Sequence, residues 1–278
     1  MHYRAVMMIT RFDKPVGIGL LWSPVAWALW LIYPSFPPLN VLGLFFAGTV
    51  LMRSAGCVIN DIADRHVDAY VARTKMRPLA ADLMTLPAAF MLLGGLLFFA
   101  LLVLMALPSG CFPYALAALV ITMVYPFCKR FLVAPQLVLG LAFSMAIPMV
   151  YVAANQAISV NMLWLMLLNG LWVLAYDTEY AMADRKDDLR LGVRSSAILF
   201  GRFDRLCIAV LQVIFHGLWF VVRLPHSRGM LYYSAWVLAA GCLVYQQKEL
   251  IKREPSGCMR AFKNNVWYGL LMWGALWG

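Results

Sequence analysis

Asn60, Asp64 and Asp68 follow one another at intervals of four residues, a spacing that lines their oxygens along one stripe of a helix. A second set, Asp177, Asp184 and Asp188, falls at intervals of seven and four, again on one helical face, with Tyr180 between the first two. Carboxylates at helical contact spacing repel one another, so such stripes make physical sense around a cation. Mg2+ suits them, because it takes one or two carboxylates and completes its shell with water and phosphate oxygens. Asp61 adjoins the first stripe and counts with it as a candidate ligand. Cations stand close by in sequence: Arg73 and Arg77 after the first set, and Lys129 and Arg130 beside Tyr125 in "VYPFCKR". Two acidic clusters with these cations describe a diphosphate site, the metal gripping the phosphates and the cations neutralising them as a leaving group. Of the 13 acidic residues in the chain, eight lie in 61–68 and 177–188, a concentration that scattered helix caps do not explain.

The elements that must hold these residues are transmembrane helices. The 278-residue chain is 63% hydrophobic and only 13% charged, which separates it from ordinary soluble domains. Residues 83–128 and 131–176 contain no Asp, Glu, Lys or Arg, and each stretch is long enough for two helical crossings. Lipid forces such runs into helix, because every backbone polar group must be satisfied within the segment. The apolar pattern predicts about nine spans: 15–33, 39–60, 86–106, 112–127, 133–153, 161–181, 204–222, 229–247 and 263–277, with Pro24, Pro126 and Pro148 marking kinks. The acids then sit at the ends of the second and sixth spans. With nine spans, 20 of the 23 Lys and Arg residues fall on the side that holds the N-terminus and the segments 61–85, 128–132, 182–203 and 248–262. By the positive-inside rule that side is cytoplasmic. The net charge of +10 is thus accounted for by topology and an anionic substrate, with no nucleic acid partner. The six cysteines show no CxxC pair and predict neither disulfides nor zinc. No signal peptide and no Arg/Ser-rich transit arm precede the first span, which favours a bacterial inner membrane.

"DRHVD" at 64–68 and "DRKDD" at 184–188 repeat the pattern D-R-x-x-D, each after an even-numbered span. This predicts two related four-helix halves plus one further helix, meeting around a shared site. Arg53 lies seven residues before Asn60, on the same helical face and about 10 Å deeper by helical rise. A cation at that depth costs roughly 2.5–3.5 kcal/mol on insertion scales, and no acid is near it in sequence. It reads either as a packing arginine bonded to carbonyls or as a grip for a substrate carboxylate beneath the metal. Composition and repeat alone also allow a secondary transporter. The placement of most of the acids at the membrane edge argues against a midplane relay.

These stretches resemble the UbiA-type intramembrane prenyltransferases. Their first aspartate motif, N-D-x-x-D-x-x-x-D, is matched by Asn60, Asp61, Asp64 and Asp68, and the second by Asp177, Asp184 and Asp188 in "YDTEYAMADRKDD". With "RFDKPVG", "RTKMRPL", "YPFCKR", "SSAILFG" and "FKNNVWYG", the likeness runs from about residue 11 to 269 and is strongest to the branch that prenylates 4-hydroxybenzoate. The resemblance implies one all-helical domain over 1–278, with a central cavity open to the cytoplasm and to lipid. It implies Mg2+-dependent transfer of a polyprenyl group from its diphosphate to C3 of 4-hydroxybenzoate, a membrane step of ubiquinone synthesis. Asp64, Asp68, Asp184 and Asp188 are then the catalytic acids, and Arg53, Arg73, Arg77, Tyr125, Lys129, Arg130 and Tyr180 the substrate contacts. A naphthoate, homogentisate, haem or chlorophyllide acceptor on the same fold remains an alternative.

Overall fold

The computed structural model describes residues 3–33, 35–224 and 228–277, and among them every regular element is helical. In chain order these are α1 (Tyr3–Ile9), α2 (Val16–Ile32), α3 (Leu39–Asp68), α4 (Leu86–Met105), α5 (Phe112–Cys128) and α6 (Gln136–Ser144). There follow α7 (Ala146–Ala153), α8 (Val160–Leu191), α9 (Ser196–Phe200), α10 (Asp204–Leu218), α11 (Met230–Glu249) and α12 (Pro255–Gly274). A helix stands at each of the nine expected spans. Among the described residues, five segments are long and apolar enough to cross a bilayer: α3, α4, α5 with the short turn before it, α6 with α7, and α8.

α3 and α8 are the longest, at 30 and 32 residues, because each continues past its apolar run into an acidic motif. Ser159 caps the start of α8 by accepting the Met162 N–H, and Gly192 in the left-handed region stops it after Leu191. Both long helices therefore carry D-R-x-x-D at the same end, as an internal repeat requires.

The expected span 133–153 is broken at Met145, between α6 and α7. Pro148 has no N–H to give to the Ser144 carbonyl, and α6 ends at Ser144. Pro24 and Pro126 interrupt nothing: α2 and α5 run through them. α12 begins eight residues before the expected 263, with Pro255 at its first turn, where a missing N–H costs nothing.

α8 packs against α6, α10 and α12, while α2 lies against α3 and α12. The core is aromatic, and three of its indoles are hydrogen-bonded. Trp27 donates to the Gly269 carbonyl at 3.0 Å, Trp172 to Asn265 at 2.9 Å and Trp219 to the Tyr268 hydroxyl at 3.1 Å. α4 and α5 instead leave Phe90, Phe98, Phe99, Leu116 and Val120 exposed, as a lipid-facing surface does.

Candidate active site

A cavity of about 970 Å³ runs between α2, α3, α4, α5, α6, α7 and α8. Its polar end holds every residue singled out from the sequence: Arg53, Asn60, Asp61, Asp64, Asp68, Arg73, Arg77, Tyr125, Lys129, Arg130, Asp177, Tyr180, Asp184 and Asp188 all line it. Its other arm is apolar, walled by Leu97, Leu101, Leu104, Leu116, Leu119 and Phe143. Helix geometry explains the gathering. α3 and α8 each turn one acidic stripe toward the same space, while Glu179 and Asp187 of α8 fall outside the lining.

Glu179 and Asp187 show that sorting. Glu179 is buried outside the cavity, accepting from Asn265 at 2.8 Å and Gln212 at 3.4 Å. Asp187 accepts the Ala72 N–H at 3.1 Å and pairs with Arg190, whose guanidinium also reaches the Tyr70 carbonyl at 2.6 Å. These bonds tie the segment after α3 to the end of α8, so the two halves close over the cavity. Arg194 fastens a third piece, its N–H reaching the Lys129 carbonyl at 2.9 Å and its guanidinium the Phe131 carbonyl at 2.7 Å.

The cations divide the acids among themselves. The Lys129 ammonium stands 3.1 Å from Asn60 Oδ1 and 2.9 Å from Asp64. Arg73 makes a two-pronged contact with Asp184 at 2.8 and 2.5 Å while its Cζ lies 4.3 Å over the Tyr180 ring. Arg77 reaches Asp68 at 2.7 Å and Asp61 at 3.2 Å, and Arg11 binds Asp61 at 2.8 Å. Burial works against the charge on Arg77, but Asp61, Tyr180 and Asp68 outweigh it and hold the guanidinium protonated above the usual arginine range. Arg130 lies over the Phe127 ring.

Two carboxylates remain short of partners. Asp177 receives only a long contact from the Tyr125 hydroxyl, at 3.4 Å, and the Asp188 carboxylate has no hydrogen bond or ion pair among the described residues. Asp188 lies seven residues beyond the expected span, and burial, reinforced by Asp184, pushes its carboxyl up to about 7. An acid held there at neutral pH is short of positive charge, and a cation in the cavity would supply it. No trio of His, Cys, Asp or Glu among the described residues converges tightly enough to enclose a metal unaided. That donor set suits Mg2+, which shares one or two carboxylates with water and phosphate oxygens.

Arg53 stands apart. Among the described residues it has no acidic partner, and its Nε is buried without any hydrogen bond, although the side chain lines the cavity. The residue beneath it is Gly17 of α2, which sequence reasoning did not mark, because nothing in "PVGIGL" says which neighbour a glycine faces.

A profile of the UbiA prenyltransferase family matches residues 21–274. The chain belongs to that family. The 4-hydroxybenzoate octaprenyltransferase of Legionella pneumophila (strain Paris) is 50% identical over 274 residues, covering 99% of this chain and 97% of its own length. The protein of the same name from Nitrosomonas europaea is 42% identical, over 98% of this chain and 93% of its own. Among solved structures, a UbiA homolog from Aeropyrum pernix K1 superposes with a TM-score of 0.79 at 22% identity, covering 91% of this chain and 94% of that one. A UbiA homolog from Archaeoglobus fulgidus bound to GPP and Mg2+ gives 0.74 at 18% identity, over 98% and 99%. The family places the chain among membrane prenyltransferases, and the transporter reading falls away.

Proposed function

We propose that this enzyme transfers a polyprenyl group from polyprenyl diphosphate to C3 of 4-hydroxybenzoate, releasing diphosphate. The observation that carries this reading is Arg53, a half-buried cation whose Nε is buried without a hydrogen bond and which makes no ion pair among the described residues, lining the same cavity as the two acidic stripes and the apolar arm. A carboxylated acceptor, a metal-bound diphosphate and a prenyl tail each find a matching wall. The near-full-length likeness to proteins named for this reaction supports the choice of acceptor.

Asn60, Asp64, Asp68, Asp177, Asp184 and Asp188 are the side chains that would hold Mg2+. Bound there, Mg2+ neutralises the diphosphate and favours its departure. Asp61 and Asp68 already hold Arg77, and we assign Asp61 to fixing that cation rather than to the metal. Lys129, Arg73 and Arg130 bring positive charge to the diphosphate end. As the allylic C–O bond breaks, the ring carbon beside the acceptor hydroxyl forms the new C–C bond, and the proton on that carbon leaves to a carboxylate or to the diphosphate. Arg53 holds the acceptor carboxylate so that this carbon faces the prenyl group. The charge asymmetry of the chain supports placing the N-terminus and the acidic ends of α3 and α8 at the cytoplasmic face, and the bacterial relatives favour an inner membrane.

In membranes carrying the protein, labelled 4-hydroxybenzoate with a polyprenyl diphosphate should yield solvent-extractable label, abolished by EDTA and restored by Mg2+. Arg53→Ala should raise KM for 4-hydroxybenzoate by about 10–100-fold, the cost of losing a charged hydrogen-bond pair, and leave KM for the prenyl donor unmoved. An unchanged acceptor KM removes Arg53 from the acceptor site.

The raised Asp188 carboxyl also sets a pH dependence. Only its ionised form binds a cation, so Mg2+ affinity is full above about pH 8 and weakens as pH falls through about 7. The Mg2+ concentration giving half-maximal rate should rise about tenfold between pH 8 and 6. Asp188→Asn should flatten that dependence. A flat profile in the parent enzyme would take Asp188 out of the metal set.

A further inference from the structure

The guanidinium of Arg53 occupies the space where any other residue at position 17 would have its side chain. A Cβ built on Gly17 would fall 2.1 Å from Arg53 Nε, 2.3 Å from Nη2 and 2.5 Å from Cζ, and these are its three nearest neighbours. Real Cβ atoms essentially never come nearer than 3.0 Å to another heavy atom. The conflict is with the far end of a long side chain rather than with backbone. An added methyl would therefore move the guanidinium and leave α2 in place. Both residues line the cavity, and α2 packs on α3, which carries Arg53.

We propose that Gly17 is a positioning residue for acceptor specificity: its bare backbone seats the Arg53 guanidinium where it can meet the acceptor carboxylate. The inference rests on the assignment of that carboxylate to Arg53 and adds a requirement to it. Arg53 has no acid or hydrogen-bonded carbonyl at its Nε to fix it. Steric support from α2 is what remains to determine its orientation. A side chain on Gly17 would remove that seat without touching the acidic stripes.

The test compares 4-hydroxybenzoate with its neutral isostere 4-hydroxybenzamide in Gly17→Ala, Arg53→Ala and the double variant. Gly17→Ala should raise KM for the acid about tenfold or more, while kcat, KM for the prenyl donor and KM for the amide stay within about twofold. The double variant should match Arg53→Ala within about twofold, because no guanidinium remains for the methyl to displace. A wild-type acid KM in Gly17→Ala, an equal loss for acid and amide, or additive losses in the double variant would each overturn the proposal. If Arg53→Ala itself keeps the preference for acid over amide, the carboxylate assignment fails first, whatever Gly17→Ala does. Should Gly17→Ala not accumulate as folded protein, recovery of the double variant supports the proposal, and failure of both shows that something other than Arg53 needs the glycine.

Discussion

Asp64→Asn and Asp184→Asn should each lower kcat by about a hundred- to a thousandfold, the usual cost of removing one group that stabilises charge in a transition state. Both variants keep size and shape, so folding should persist and the losses should come with a higher Mg2+ requirement. Each acid sits on a different long helix, α3 or α8, and each is bound to a cation, Lys129 or Arg73. That pairing sharpens the expectation. Asparagine at 64 would release Lys129, and asparagine at 184 would release Arg73, so cationic charge toward the diphosphate is not reduced in either variant. A fall in turnover then reports loss of the metal's ligand rather than of the cation. Turnover at several Mg2+ concentrations, with binding of Mn2+ followed by EPR in the same detergent-solubilised protein, separates the two effects. Wild-type rate and metal requirement in both variants would remove the metal assignment from the two stripes.

The acids were readable in the sequence because helical spacing alone decides which of them share a face. Asp177, Asp184 and Asp188 line the cavity and Glu179 and Asp187 do not, and the intervals between them say so before any coordinates. Arg53 was readable for the same reason, at one face and one depth. The partners of the acids were not. Arg73 and Arg77 lie in a segment with no regular period, and its path is set by a distant bond from Ala72 to Asp187 together with a local one from the Thr74 hydroxyl to the Asp68 carbonyl. The fold shows the same division. Runs of apolar residues placed the helices, but Pro148 coincides with a break and Pro24 and Pro126 do not, because tertiary packing decides whether a freed carbonyl ends a helix. Glycine is the extreme case. Gly17 matters through what fills the space beside it, and a sequence lists no such neighbours.

Asp61 is where spacing and structure part company, and substituting it should have the largest effect on stability. The residue belongs to the aspartate motif by sequence, yet it is only 1% exposed and is held by Arg11 at 2.8 Å and Arg77 at 3.2 Å. Asp61→Asn would leave two guanidinium groups short of their shared anion. Breaking a buried pair from one side costs about 3–5 kcal/mol. Arg11 is 20% exposed and Arg77 retains Asp68, so the lower end, about 3 kcal/mol, is expected. Thermal unfolding in detergent should shift down clearly, and the loss should be smaller in Arg11→Gln, because Asp61 then still keeps Arg77 at 3.2 Å. The Mg2+ requirement of the surviving Asp61→Asn enzyme should stay near that of the parent. Asp61→Asn with parental stability and a raised Mg2+ requirement would reverse the assignment and return Asp61 to the metal. The two outcomes exclude each other because a carboxylate already shared by two guanidinium groups has little capacity left for a cation, whereas one that binds metal must let those groups go.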